Sequence, residues 1–282
     1  MSPQTQTQII EDAPTGTLSP VVNGFHVSDR LRECAAKLRE HVRGPLASRW
    51  LKDNYALLQS QITDLRHTLR PAFLRKLPNT SAGEPRIHPI AAGWLAEIAA
   101  EWLATAPGVV DSDVLMPFAH ALRENHSFEM AELWAFAPML KFATIERLCA
   151  NLEIERVVAG CVRTVWAMEA ISWKAFVETA SRAEAVLRQD PAGVYPRMDF
   201  PTRDRYRLEL KRLARRAKLT EEEVATAALE CAERAQAAPA QDNDNSDTRT
   251  HHVGYYLIGP GARDFRRAVG SKACLLYTSR CV

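Results

Sequence analysis

Apolar residues recur at three- and four-residue intervals along most of this chain, the period of helices that turn one face to a core. Leu31, Cys34, Ala35 and Leu38 set the rhythm first, with Ser28 as the expected N-cap, Asp29 in the first turn and Gly44-Pro45 as the stop. A longer pattern from Leu46 to about Leu69 puts Trp50, Leu51, Tyr55, Leu58, Ile62, Leu65 and Leu69 on one broad face. Leu77–Pro89 reads as a loop, and Ile90–Thr105 as a helix bearing Trp94, Leu95, Ile98 and Trp102. Asp111 or Ser112 caps the next helix, to about Glu124. Ser127 is the expected cap of another, with Glu129 and Glu132 in its first turn facing the positive helix N-terminus. Its apolar side is Leu133, Trp134, Phe136, Ala137, Leu140, Ile145 and Leu148, and Pro138 is placed to kink it. Leu152–Ala170 and Trp173–Arg188 continue the pattern as single helices. Thr202 is the expected cap of a helix from Arg203 to about Ala217, and Thr220 with Glu223 forms a capping box for one more, to about Ala237. Strand-like alternation is confined to His252–Ile258. The pattern predicts an all-α fold, an irregular multi-helix bundle of about nine or ten helices.

The rhythm breaks at Asp190–Arg207, DPAGVYPRMDFPTRDRYR, where Pro191, Gly193, Pro196 and Pro201 forbid a continuous helix. Arg197, Asp199, Arg203, Asp204, Arg205 and Arg207 interleave there with Tyr195, Met198, Phe200 and Tyr206. Apolar groups set between opposed charges suit a packed junction in which Arg and Asp pair above buried rings. Tyr195, Arg197, Asp199, Arg203, Asp204, Arg205 and Tyr206 are its expected structural members. The chain thus divides into a flexible tail (1–27), a helical bundle (28–190), the junction and two helices (191–238), a polar linker (239–253), a short terminal segment (254–273) and a distinct tail (274–282).

Composition changes this picture little. Hydrophobic residues at 46% and charged residues at 25% are ordinary for a globular protein, and a net charge of +2 gives no general pull toward nucleic acid. No apolar run reaches the roughly 18 residues that span a bilayer, and no secretory signal is visible at the start. Six widely scattered cysteines, none in a CxxC pair, read as idle thiols rather than a zinc site or a disulfide framework. His67, His88, His120 and His126 stand singly, and His251-His252 falls in the linker as a solvated pair. Phosphate-loop, dinucleotide and nucleophile-elbow motifs are absent, so the expectation is no catalytic, cofactor or metal residue. Glu129 and Glu132 could be paired carboxylates for glycoside chemistry, but such pairs usually come from different elements, and the helix dipole explains them better. Arg203–Lys218 holds eight basic residues against Asp204 and Glu209. A solvated helix is the first reading, and contact of Arg207, Lys211, Arg212, Arg215, Arg216 and Lys218 with an anionic membrane surface the second. Nucleic acid comes last and is not an expected partner, since few aromatics interleave with these charges.

VYPRMDFPTRDRYR, together with WLKDNYALLQSQI (Trp50–Ile62), AELWAFAPMLKFATIERL (Ala131–Leu148) and HVGYYLIGPG (His252–Gly261), resembles the N-terminal region of bacterial cyclic β-1,2-glucan synthases, very large membrane glycosyltransferases. The similarity spans roughly Leu31–Lys272. It implies a parent that uses UDP-glucose with a divalent metal, builds a protein-linked β-1,2-glucan and releases it as a ring. It also implies a position for this segment at the cytoplasmic face of the inner membrane, with the downstream domains of the same parent as partners. No family catalytic residue falls on these positions, so the segment alone is expected to be inactive. The alternative is a free-standing helical module that docks a protein or an anionic surface through Arg203–Lys218. The ending CLLYTSRCV (Cys274–Val282), read back into codons, resembles a transposon end used in sequencing libraries followed by its inverted copy. Cys274–Val282 is therefore expected to be translated adapter, with the natural frame continuing past Lys272.

Overall fold

The structure, a computed structural model, describes residues 27–74, 99–100, 102–104, 108–237 and 248–279, with 271–279 described in backbone alone. Residues 1–26 of the expected tail, the expected loop Leu77–Pro89, most of the helix expected from Ile90, residue 238 with linker residues 239–247, and residues 280–282 lie outside the described residues. Among the described residues there is no strand, and nine helices run seven residues or more, so the all-α multi-helix class holds. In chain order the helices are α1 (Val27–Arg43), α2 (Arg49–Thr68), α3 (Pro71–Leu74), α4 (Ser112–Asn125), α5 (Met130–Ala150) and α6 (Glu155–Ala170). They continue as α7 (Trp173–Ala180), α8 (Arg182–Leu187), α9 (Phe200–Ala217), α10 (Glu221–Ala237), α11 (Val253–Leu257) and α12 (Ala262–Ser279), with 3-10 turns at Tyr195–Arg197 and Thr248–His251.

Two compact units divide the chain, the first comprising Met1–His126 and Ala131–Ala180, the second Ser127–Met130 and Ser181–Val282. In the first, α1 packs on α2, α2 on α6 and α4 on α7. Phe136, Met139, Leu140, Phe142, Ile145 and Leu148 of α5 are all buried, so this helix lies within the core rather than on its edge. Trp102, Phe118, Phe136 and Phe176 form an aromatic column, with successive ring centroids 4.2, 5.6 and 5.2 Å apart. Such ring pairs add stabilisation beyond the area they bury. In the second unit α8 and α9 pack on α10, whose small Ala225, Ala228 and Ala232 let neighbouring backbones come close. Leu187, Tyr195, Leu210, Val253, Leu257 and Phe265 fill the space around them.

Several expected boundaries shift, each for a local reason. Helix α1 already begins at Val27, which places Ser28 inside it. Ser127 does not cap α5; its hydroxyl donates to Glu222 Oε2 at 2.9 Å, and the helix starts at Met130. Glu129 therefore precedes the first turn, which keeps Glu132. The single helix expected over Trp173–Arg188 is two, because Ser181 turns extended (φ −83°, ψ 121°) and its Oγ accepts from the Glu184 amide at 3.1 Å. A serine hydroxyl that offers the backbone this alternative competes with helix continuation. Asp199, not Thr202, caps α9: its Oδ1 accepts the Thr202 amide, and Pro201 sits in the first turn, where its missing N–H costs nothing. The Thr220–Glu223 capping box forms as expected, with Thr220 N–H to Glu223 Oε2 at 2.8 Å and Glu223 N–H to Thr220 Oγ1 at 3.0 Å. The strand candidate at His252–Ile258 is helix α11, entered from an extended His252. No described helix is long and apolar enough to cross a membrane.

Candidate functional site

The second unit gathers its charge around two carboxylates, Glu184 in α8 and Asp190 just beyond it. Ser181 caps α8, and Glu184, its third residue, lies on the buried side of that helix with Ala183 and Leu187. The Glu184 side chain has no exposed surface. Oε2 accepts from Tyr195 Oη at 2.7 Å and from the Arg207 guanidinium at 3.0 Å. Oε1 accepts from Arg188 Nε at 3.0 Å and lies 3.5 Å from Arg203 Nε. Arg207, 3% exposed, stacks over the Phe200 ring at 4.5 Å. A buried carboxylate met from several directions by charged and phenolic donors is compensated in the way such burial requires. Burial first, and then the Glu184 charge, push the Tyr195 phenol up, so it stays a neutral donor.

Asp190 binds three segments together. Oδ2 accepts the Val194 and Tyr195 amides at 2.9 and 3.1 Å and pairs with His252 Nδ1 at 2.8 Å, while Oδ1 accepts the Val253 amide at 2.9 Å. The Val253 amide is one of the orphan donors at the start of α11, so Asp190 caps a helix far along the chain. Burial alone would raise the Asp190 carboxyl, but the bonds from His252, Val253 and Tyr195 outweigh it and hold the group below the usual carboxylate range. His252 Nε2 lies 3.0 Å from Tyr206 Oη. Gly254 leaves room for this chain: a Cβ there would come within 2.4 Å of His252 Nε2 and 2.5 Å of Tyr206 Oη.

A carboxylate, an imidazole and a hydroxyl in sequence is also the order of an activated nucleophile. Here the hydroxyl is a phenol only 5% exposed, raised by burial and then by the Asp190 charge, the opposite of activation. The chain ties α9 to the start of α11 and does not present a reacting oxygen.

Of the expected junction members, Tyr195, Arg203 and Tyr206 belong to these clusters, and Asp204 joins through Arg207 at 3.5 Å. Arg197 is exposed and its Nε donates to the Gly193 carbonyl at 2.7 Å; Asp199 is exposed as the cap of α9; Arg205 is exposed. The Arg/Asp pairing expected within the junction is thus mostly replaced by pairing of Arg203 and Arg207 with Glu184. Arg207 is corrected from surface contact to core, because Glu184 and Phe200 enclose it. Lys211 is half-buried, Arg212 pairs with Glu209 at 3.2 Å, and Arg215, Arg216 and Lys218 are exposed. His252, read as solvated, is part of the Asp190 cluster, with its side chain 16% exposed.

Two further clusters link residues that sequence spacing keeps apart. Glu129 Oε1 accepts the Glu221 amide at 3.3 Å, and Glu221 Oε2 accepts the Met130 amide at 2.8 Å, so each glutamate caps the other's helix. Burial, followed by the Glu221 charge, pushes Glu129 up to about 8. Glu132, the other first-turn glutamate of the sequence reading, is buried in the first unit. Cys149, in α5, donates its thiol to the Cys34 carbonyl of α1 at 3.8 Å. Among the described residues no group of three or more His, Cys, Asp or Glu is arranged to hold a metal ion.

No protein-family model matches this chain. Its sequence is 20% identical over 315 residues to the cyclic beta-(1,2)-glucan synthase NdvB of Rhizobium meliloti (strain 1021). That alignment covers 79% of this chain and 11% of the relative, so the likeness is distant and concerns a small part of that protein.

Proposed function

We propose that this chain forms a non-catalytic helical section of a cyclic β-1,2-glucan synthase and braces the domains that transfer glucose from UDP-glucose, at the cytoplasmic face of the inner membrane. The observation that carries the reading is the commitment of Glu184 and Asp190 to amides, arginines, a tyrosine and a histidine of their own unit. Acids held this way fix helices in register; a general acid or base needs an open coordination toward substrate. The distant similarity to a glucan synthase supports the biological setting. Nucleotide sugar and divalent metal would then be bound by the downstream domains, and Cys274–Val282 would be adapter sequence foreign to the parent.

The experiment is a segment exchange. The aligned segment of the Rhizobium meliloti synthase is replaced by residues 31–272 of this chain, and membranes are assayed for β-1,2-glucan made from labelled UDP-glucose. Synthesis above that of a segment-deleted control is the expected result. Synthesis no better than deletion, with the hybrid present at normal abundance, overturns the proposal. A free-standing module that docks an anionic surface is the second reading, favoured by the exposure of Arg215, Arg216 and Lys218 at the end of α9. It predicts salt-sensitive binding of the isolated chain to anionic vesicles.

A further inference from the structure

The first unit carries one surface whose chemistry a brace does not require. Trp50 opens α2 and Trp166 lies in the last turns of α6, and these helices pack on one another. The two indoles remain 38% and 57% exposed, while their chain neighbours Leu51 and Val165 are completely buried. Neither ring hangs loose. The Arg163 guanidinium lies over one face of the Trp50 ring, 5.6 Å from its centre, Trp166 Nε1–H donates to Asn54 Oδ1 at 3.1 Å, and Asn54 Nδ2 donates to the Trp50 carbonyl at 2.9 Å. Farther along the same two helices, Lys141 of α5 bridges Gln61 and Glu169 at 3.0 and 2.5 Å. The seam therefore alternates pre-set aromatic faces with an amide, a guanidinium, an ammonium and a carboxylate.

We propose that this seam between α2 and α6 binds a neutral glucan chain, with Trp166 and the part of Trp50 that Arg163 leaves uncovered as stacking faces, and the remaining N–H groups of Asn54 and Arg163 as partners for the sugar hydroxyls. A glucose ring shows C–H groups on its faces and hydroxyls around its edge. The C–H face is apolar and slightly positive, which matches the negative face of an indole. The edge hydroxyls need in-plane donors and acceptors, which an amide and a guanidinium provide. Rings already held by their neighbours lose little freedom on binding, so the contact is preorganised. A membrane-anchoring tryptophan belt would instead want aliphatic neighbours reaching into the bilayer, and Asn54, Arg163, Lys141 and Glu169 are poor company for acyl chains. The choice of glucan among saccharides rests on the proposed function above.

The test titrates the full chain with linear β-1,2-linked gluco-oligosaccharides by calorimetry. Saturable binding with a dissociation constant of about 1 mM or tighter is expected. Trp50→Ala and Trp166→Ala should each weaken it by about tenfold or more, with circular dichroism melts like the parent's, while Trp166→Phe should retain most of it. Absence of binding at oligosaccharide concentrations well above that constant overturns the inference, as does equal affinity in both alanine variants. Tryptophan-dependent sedimentation with phosphatidylcholine vesicles, without oligosaccharide binding, also overturns it and assigns the rings to a membrane surface. The two proposals fail separately: a hybrid that makes glucan while the chain binds no oligosaccharide sinks this one alone.

Discussion

Glu184 stands at the meeting point of Tyr195, Arg188, Arg203 and Arg207, with no side-chain surface left to water. Removing one member of such a buried set strands the others, at a cost of roughly 3–5 kcal/mol. Glu184→Ala is therefore expected to lower the unfolding free energy by about that amount in urea titrations, and an unchanged midpoint would mean that Arg207 finds water in the fold. Asp190 acts through pH. Its carboxyl is held low in the folded chain, so near its ordinary value the unfolded chain binds more protons, and stability rises with pH there. The contribution is complete above the ordinary carboxylate range and is lost as pH falls through the lowered folded value. Melting temperature should drop on acidification below about pH 4, and the drop should be shallower in Asp190→Asn.

At the scale of elements, the helix ends are set by side chains that offer the backbone an alternative. Helix α9 ends with Lys218 in the left-handed region at φ 56°, where a side chain is strained and glycine is not. Lys218→Gly is expected to stabilise the chain by roughly 1 kcal/mol in thermal melts, and a destabilised variant would show that the lysine side chain contributes more than its backbone loses. The Thr220–Glu223 box was legible in the sequence because both partners lie within one turn. The Ser181 break was missed although Ser181 and Glu184 stand at capping-box spacing, since the apolar period runs across it unbroken. Helix α11 looked like a strand because five residues are too few to show a helical period. The Asp190–His252 pair joins residues 62 apart, and nothing local in either stretch points to the other. What the junction's composition did convey was that charges and rings pack together there; it gave no sign that their acid would come from α8.

At the scale of the whole molecule, the two units answer to different chemistry. The first is held by an aromatic column and a buried central helix, and its own titrating group is Glu146, which burial, opposed by Arg30, raises to about 7. In the second, Ser127–Met130 is fixed by the reciprocal caps of Glu129 and Glu221, with Lys211 of α9 adding a weaker favourable charge. Glu129 is raised from 4.5 to about 8, so between those values the folded chain binds more protons than the unfolded one, and stability falls as pH rises. Glu129→Gln should flatten that decline in melts recorded from pH 5 to pH 9; a variant that declines as steeply as the parent would place the effect elsewhere.

The measurement that bears most directly on a support rather than a reaction centre replaces the ion cluster with apolar groups of similar size. Glu184→Leu, Tyr195→Phe, Arg203→Met and Arg207→Met together leave the packing filled and remove the buried charge, while the more exposed Arg188 turns to water, an exchange that is often neutral or stabilising. In the segment-exchanged synthase, with melting of the isolated chain followed in parallel, the account predicts a folded chain and undiminished glucan synthesis. A chain that melts like the parent while synthesis disappears would contradict it, because the lost groups would then have been doing chemistry.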